Sequence, residues 1–267
     1  MRDILKLYGT YLLISLRGQM QYRASFFLYT LGQFGAVAIE FVGIWALFDR
    51  FGSLKGWTLP EVALLFGMVN VAFALAEIFS RGFETFSTMV KSGDFDRLLL
   101  RPRSTALQVA GQQFHFMRLG RIIAGFSVLL YGAASLEVTW TFPKVVLLLL
   151  AIVGGACVFY GLFVLQATMC FWTVESLEIM NTVTYGGTET AQYPLTIYRP
   201  WFRRFFTFVV PLACLNYIPA SGILDRGHEL GVSPLLQWAS PFIGILFLLI
   251  SLQVWRLGER RYASTGS

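Results

Sequence analysis

Residues 81–105 read RGFETFSTMVKSGDFDRLLLRPRST, the longest charged interruption between strongly apolar stretches of the chain. Phe79, Phe83, Phe86 and Val90 recur there at helical spacing, with Arg81, Glu84, Thr88 and Lys91 on the other side. Gly93 supplies a helix stop, and Asp94 reads as the N-cap of a second short turn carrying Phe95, Leu98 and Leu99. Pro102 ends that turn, and Thr105 with Gln108 reads as a capping box opening the next long helix. An ordered amphipathic element of this kind requires a surface to lie against, and the flanking sequence says which surfaces are at hand.

Those flanks are membrane segments. The chain has 267 residues, 56% of them hydrophobic, 16% aromatic and 13% charged, with a mean hydropathy of +0.62. Soluble domains carry about 25% charged residues, and half that figure implies an integral membrane protein. The net charge of +6 does not point to nucleic acid, because the positive residues flank apolar runs instead of forming a patch. Cys157, Cys170 and Cys214 lie in apolar segments without metal-ligand spacing and read as small core residues. Met1–Arg23 alternates charged and apolar residues and lacks the pattern of a cleaved signal peptide.

The pattern predicts one all-α transmembrane domain over 1–267. Residues 1–23 place Ile4, Leu5, Tyr8, Tyr11 and Leu12 on one face, with Arg2, Lys6, Arg17 and Arg23 around them, which predicts an interfacial helix. Six spans follow, each near the roughly 20 residues a bilayer requires. They fall at about 24–48, 60–80, 114–135 (on a helix starting at Thr105), 144–172, 205–224 and 235–255. The fifth is broken by Pro211 and Pro219, and Gly222–Pro241 reads as a re-entrant outer turn. Of 21 Lys and Arg residues, all but Arg50, Lys55, Lys144 and Arg226 fall on one side, counting Arg199, Arg203 and Arg204 with the termini. The positive-inside bias then puts both termini and 81–105 in the cytoplasm. Gly32 with Ala36, and Ala151 with Gly155, allow close helix approach, either within the bundle or at a dimer seam.

Ionisable residues inside a membrane are functional candidates. Glu40 is the deepest acid, in span one, and Glu77 sits near the cytoplasmic end of span two. Gln108, Gln112 and His115 share a face at the entrance to span three, followed by Arg118 and Arg121 at the depth of Glu77. An ion pair between spans two and three competes there with snorkelling of the arginines to headgroups. Pro211 and Pro219 bracket Asn216 and Tyr217, so this break either lines a cavity or is a simple kink. No catalytic constellation is present. There is no P-loop, no H-E-x-x-H and no G-x-S-x-G, and the two histidines fall on opposite sides of the membrane.

Three stretches then carry a resemblance. They are residues 93–102, GDFDRLLLRP, after span two; 193–198, YPLTIY, before span five; and Pro211 with 216–220, NYIPA, within it. Together with the order of the spans they resemble the permease subunits of type-2 ATP-binding-cassette (ABC) exporters, in the six-span branch related to daunorubicin-resistance permeases. Arg199 before Pro200 departs from that pattern.

The resemblance implies a permease with no ATPase of its own. It implies a cytosolic ATP-binding subunit that holds ATP and Mg, and a second permease subunit, either the same chain or a related one. It assigns Phe83–Pro102 as the coupling helix, in which Phe83, Phe86, Phe95 and Leu98 fill a cleft on the ATPase. Asp94, Asp96, Arg97 and Arg101 then set its register, and Pro102, which ends the turn, belongs to the same coupling set. A membrane-surface helix on anionic lipid competes with this, although acids interleaved with the arginines are unlike a polybasic lipid reader. The implied function is outward movement of an amphipathic small molecule or lipid-like substrate across the inner membrane of a prokaryote. A stand-alone channel or proton-coupled carrier using Glu40 and the polar face of span three is the alternative reading.

Overall fold

In lipid, backbone N–H and C=O groups must pair within the chain, so long apolar runs become helices. The computed structural model describes residues 2–173 and 178–263, and among these it is all helix, turn and loop. The helices are α1 (Arg2–Met20), α2 (Arg23–Phe51), α3 (Leu59–Glu84), α4 (Phe86–Lys91), α5 (Asp94–Leu99) and α6 (Thr105–Ala110). They continue with α7 (Leu119–Ser135), α8 (Phe142–Thr173), α9 (Glu178–Ala191), α10 (Pro200–Arg204), α11 (Tyr217–Ile223) and α12 (Pro234–Glu259). The side chains of Arg2, Ile4, Leu5 and Lys6, assigned to the faces of α1, lie outside what is described.

Five of these helices, α2, α3, α7 with its leading turn, α8 and α12, are long and apolar enough to cross a membrane. The protein is therefore an all-α integral membrane protein. The centre is α3, 89% buried over its most apolar window against 17% for α2 and 28% for α12. At its start the Thr58 N–H and Oγ1–H donate to Glu61 Oε2 at 2.7 and 3.0 Å, closing the first turn. Helices α8 and α12 touch through their backbones: a Cβ on Gly154 would meet Pro241 O at 2.5 Å, and one on Gly244 would meet Gly154 O at 2.1 Å. Gly155 packs inside against Ala72 and Leu215, whereas Gly32 on α2 faces open space.

The bundle has two ends. The foot holds α4, α5, α6 and the last turns of α3, α8 and α12; the loop end holds residues 52–58. At the foot, Gly93 adopts φ 72, the left-handed conformation that joins α4 to α5. The N-cap is thus Gly93 and not Asp94, which opens α5, accepts from Ser92 Oγ at 2.7 Å and faces Arg97 at 3.4 Å. The expected capping box at Thr105 is also absent, because both side chains have other partners. Thr105 Oγ1 donates to Glu259 and accepts from Trp255 Nε1, each at 3.0 Å. Gln108 Nε2 donates to Leu98 O and Arg103 O. Nor does the helix begun at Thr105 continue into span three. It stops at Ala110, and Gly111–His115 is unwound ahead of a 3₁₀ turn at Phe116–Arg118.

The fifth crossing differs most from expectation. Residues 205–224 were expected to span, with Arg199, Arg203 and Arg204 on the side of the termini. Both flanks of that stretch instead touch the loop end. Trp57 Nε1 donates to Thr196 Oγ1 at 3.1 Å and Lys55 Nζ to Ile197 O at 3.3 Å. On the far flank, Arg226 donates to Gly56 O and to Glu61 Oε1 at 2.8 Å. Burial lowers the Arg226 pKa, but its bonds to Glu229 and Glu61 outweigh this and push it up. The chain between them dips inward, bends by 75° after Val209 and returns. The passage from foot to loop end is made instead by α9 and residues 192–197. Asn181 near the start of α9 accepts from Gln166 at 2.7 Å, late in α8, and Ala191 at its end lies beside Asn216. Sequence periodicity missed α9 because its polar side chains disguise a crossing helix as a loop.

Candidate functional site

Two regions collect the functional candidates. At the foot, the sequence expectation that Phe83, Phe86, Phe95 and Leu98 face a partner is overturned, since all four are buried within the chain. Phe86 is 0% exposed. Its ring stands 4.8 Å from Trp255, 5.0 Å from Phe95 and 5.2 Å from Phe171. Phe83 adds an edge contact to Trp255 at 5.3 Å, and Phe95 one to Tyr262 at 5.0 Å. Apolar side chains on an amphipathic helix settle on the nearest apolar surface, and the ends of α8 and α12 supply it.

The outer surface of the foot is the opposite set. Leu100 is 86% exposed and Leu99 41%. Around them stand Arg97, whose side chain is 82% exposed, and exposed Arg101, Pro102 and Arg103. Asp94 is half-exposed in its pair with Arg97, and Asp96 is half-buried. Beside this tip a hollow of about 440 Å³ opens between Thr88, Asp94, Arg97, Arg101 and Gln112. An exposed leucine pair on a turn whose back is locked by six aromatic rings is a rigid projection.

The second region is a polar cleft at the level of Phe73. Glu77, 1% exposed, receives Arg118 Nη2 at 3.1 Å and Arg121 Nη1 at 3.9 Å. Sequence reasoning anticipated this pairing and left it open against snorkelling; the distances decide for the ion pair. Arg118 also donates to Gln33 Oε1 at 2.8 Å, and the Arg121 guanidinium lies 5.0 Å over the Phe73 ring. Tyr185 meets Phe73 edge-on, with the ring centroids 5.6 Å apart. Further along α9, the Glu189 carboxyl lies beside that of Glu40 on α2. His115 sits at the lower edge, 5.9 Å from the Tyr29 ring, its N–H donating to Ile78 O.

Glu189, Tyr185 and Gln33 were missed from sequence. A signal existed for the first two: Glu178, Thr182, Tyr185 and Glu189 are spaced four, three and four apart, and all are exposed in this chain. The opposite stripe, Thr184, Gly187, Thr188 and Ala191, is buried. Pro211, Asn216, Tyr217 and Pro219 do not join the cleft. Asn216, fully buried, donates from Nδ2 to Ala191 O and accepts from the Tyr217 N–H, so it ties the dipping stretch to the end of α9. Pro219 falls in the first turn of α11, where its missing N–H leaves nothing unpaired. Tyr217 rests 6.1 Å from Trp57.

The family model described as ABC-2 family transporter protein matches residues 34–266. No curated protein and no solved structure matches the chain.

Proposed function

Because the chain belongs to the ABC-2 transporter family, we propose that it is the membrane-spanning subunit of an ATP-driven exporter, powered through the foot by a separate ATP-binding subunit. The single observation that carries this reading is the construction of the foot: Leu99 and Leu100 project outward while Phe86, Phe95 and Trp255 lock the turn behind them. A coupling element must move as a solid body when its partner moves, and a side chain in loose contact with its own bundle transmits nothing. Leu100 supplies the apolar anchor, and Arg97, Arg101 and Pro102 frame it, with Asp94 and Asp96 limiting the net positive charge. The partner holds ATP and Mg.

The foot and both termini then face the cytoplasm. Moving Arg199, Arg203 and Arg204 to the loop end still leaves fourteen Lys and Arg at the foot side against seven, so the positive-inside bias keeps its direction. The substrate is an amphipathic small molecule or lipid-like compound, passing outward along the cleft between α2, α7 and α9. A second permease subunit, this chain again or a related one, closes that cleft, because the exposed acids of α9 cannot face acyl chains. The setting is the inner membrane of a prokaryote.

The test is purification from the native host. A P-loop ATPase of about 25–35 kDa is expected to co-purify, and Leu100→Asp is expected to release it while the chain stays membrane-inserted. Absence of ATP hydrolysis in the purified assembly refutes the reading. The Glu40–Glu189 carboxyl pair favours one second reading, a proton-coupled carrier. Transport by this chain alone in liposomes, indifferent to ATP and lost in Glu40→Gln, decides for that alternative.

A further inference from the structure

Helix α1 lies wholly ahead of the family-matched stretch, and its half-buried face meets the unwound backbone of residues 111–115. When a helix breaks, its freed N–H and C=O groups need partners. At Phe114 both partners come from α1. The Phe114 N–H donates to Ser15 Oγ at 3.4 Å, and Phe114 O accepts from Ser15 Oγ at 3.3 Å and from Gln19 Nε2 at 2.5 Å. Gln19 Nε2 also donates to Ser15 Oγ at 3.1 Å. The same face presses Tyr8 edge-on to the Phe114 ring at 5.5 Å, and Tyr11 closes over Gly111, where a Cβ would meet its ring at 2.8 Å. One residue beyond Phe114, the His115 N–H is held by α3, and the turn that follows carries Arg118 to Glu77.

We propose that Ser15 and Gln19 are positioning residues that link α1 to the helix break, so that movement of α1 shifts Phe114 and with it the Arg118–Glu77 pair in the cleft. The inference rests on the foot acting as the coupling element. It adds a second route into the cleft. A hollow of about 260 Å³ separates Tyr8 and Tyr11 from Arg101, Pro102 and Leu107, giving α1 room to tilt against the projecting turn. Ser15 and Gln19 sit one helical turn apart, so they grip one peptide unit from two points. Both bonds end on the Phe114 carbonyl, so α1 cannot shift without carrying that group or breaking them.

The experiment uses the complex with its co-purified ATP-binding subunit, in a background free of native cysteines, carrying one fluorescent cysteine label at Ser104, exposed beside the projecting turn, or at Gln113, a break residue exposed in this chain. ATP with vanadate is the probe. Both labels are expected to respond in the otherwise unaltered complex. With Ser15→Ala and Gln19→Met, the Ser104 response is expected to persist, the Gln113 response to vanish, and substrate moved per ATP to fall about tenfold. Ser15→Thr, which keeps the hydroxyl, restores the Gln113 response in the presence of Gln19. A Gln113 response that survives the double substitution overturns this inference alone. Loss of both responses in the double variant overturns it too, since that marks a fold defect at the foot. Silence of both labels in the unaltered complex overturns the coupling reading and this inference with it.

Discussion

Phe86 and Leu100 lie fourteen residues apart on one short stretch and answer to opposite physics. Phe86→Ala removes a ring that is fully enclosed and within 5.2 Å of three other aromatic centroids. Phe→Ala in a packed core costs about 3–5 kcal/mol, and its lost edge contacts are worth about 0.5–1.5 kcal/mol each. These figures overlap, because part of the first is the second, so a total near 4 kcal/mol is the working value. In a chain this long that corresponds to a fall in melting temperature of roughly 10 °C. Leu100→Ala trims a side chain that is 86% exposed, and the chain's own stability should move by no more than about 0.5 kcal/mol. Its effect belongs to the partner: a central apolar anchor is worth about 2 kcal/mol or more at an interface, a loss of roughly thirtyfold in affinity. The assay is paired. Thermal melting of the detergent-solubilised chain alone reads the first quantity, and titration with the ATP-binding subunit reads the second. If Phe86→Ala melts like the unaltered chain yet no longer binds the subunit, the inward assignment of Phe86 is wrong.

Three further perturbations address the rest of the molecule. Glu77→Gln strips the shared counter-charge from Arg118 and Arg121, and breaking a buried pair in this way costs about 3–5 kcal/mol; in melting experiments, adding Arg118→Met should recover part of that loss, and no recovery would speak against the pairing. Asn216→Ala leaves Ala191 O and the start of α11 without their partners, at about 1–3 kcal/mol. Maleimide should then reach the buried Cys214 thiol two residues away, and unchanged labelling would contradict the tie to α9. In a background free of native cysteines, Ser53→Cys, Thr196→Cys and Arg226→Cys should react with an impermeant reagent from one side of the membrane, and Leu100→Cys from the other. Labelling of Thr196→Cys from the side of Leu100→Cys would restore the broken span that the loop-end hydrogen bonds argue against.

How much of this was legible in the sequence depends on what each residue answers to. Long apolar runs are decided by composition alone, and α2, α3, α8 and α12 are read directly from it. The amphipathic order of 81–105 was legible as well, but not the surface its apolar face meets. Periodicity gives a direction around a helix, and nothing in it distinguishes a partner's cleft from Trp255 and Phe171 of the same chain. The Glu77–Arg118 pair could be named as one of two readings because depth along a span can be counted. Glu189 was not, since α9 is short and rich in Thr and Gly, and its charge pattern resembles a loop. The re-entrant stretch failed for a related reason: twenty apolar residues that cross and twenty that dip and return have the same hydropathy. Only the bonds from Lys55, Trp57 and Arg226 separate them.

The backbone contact between Gly154 and Gly244 has a mechanical consequence. With no side chain to shear between them at that level, α8 and α12 form a beam, clamped at one end by the rings around Trp255. Eighteen residues up α12, Gln237 is wedged between Ser221, Gly222 and Gly227 at the opposite end. At 1.5 Å per residue that arm is about 27 Å long, so a tilt of about 5° at Trp255 displaces Gln237 by about 2 Å. That is most of a hydrogen bond's length, delivered to the stretch that dips into the bundle. A bulkier residue at either glycine would turn the beam into a hinge and dissipate the stroke.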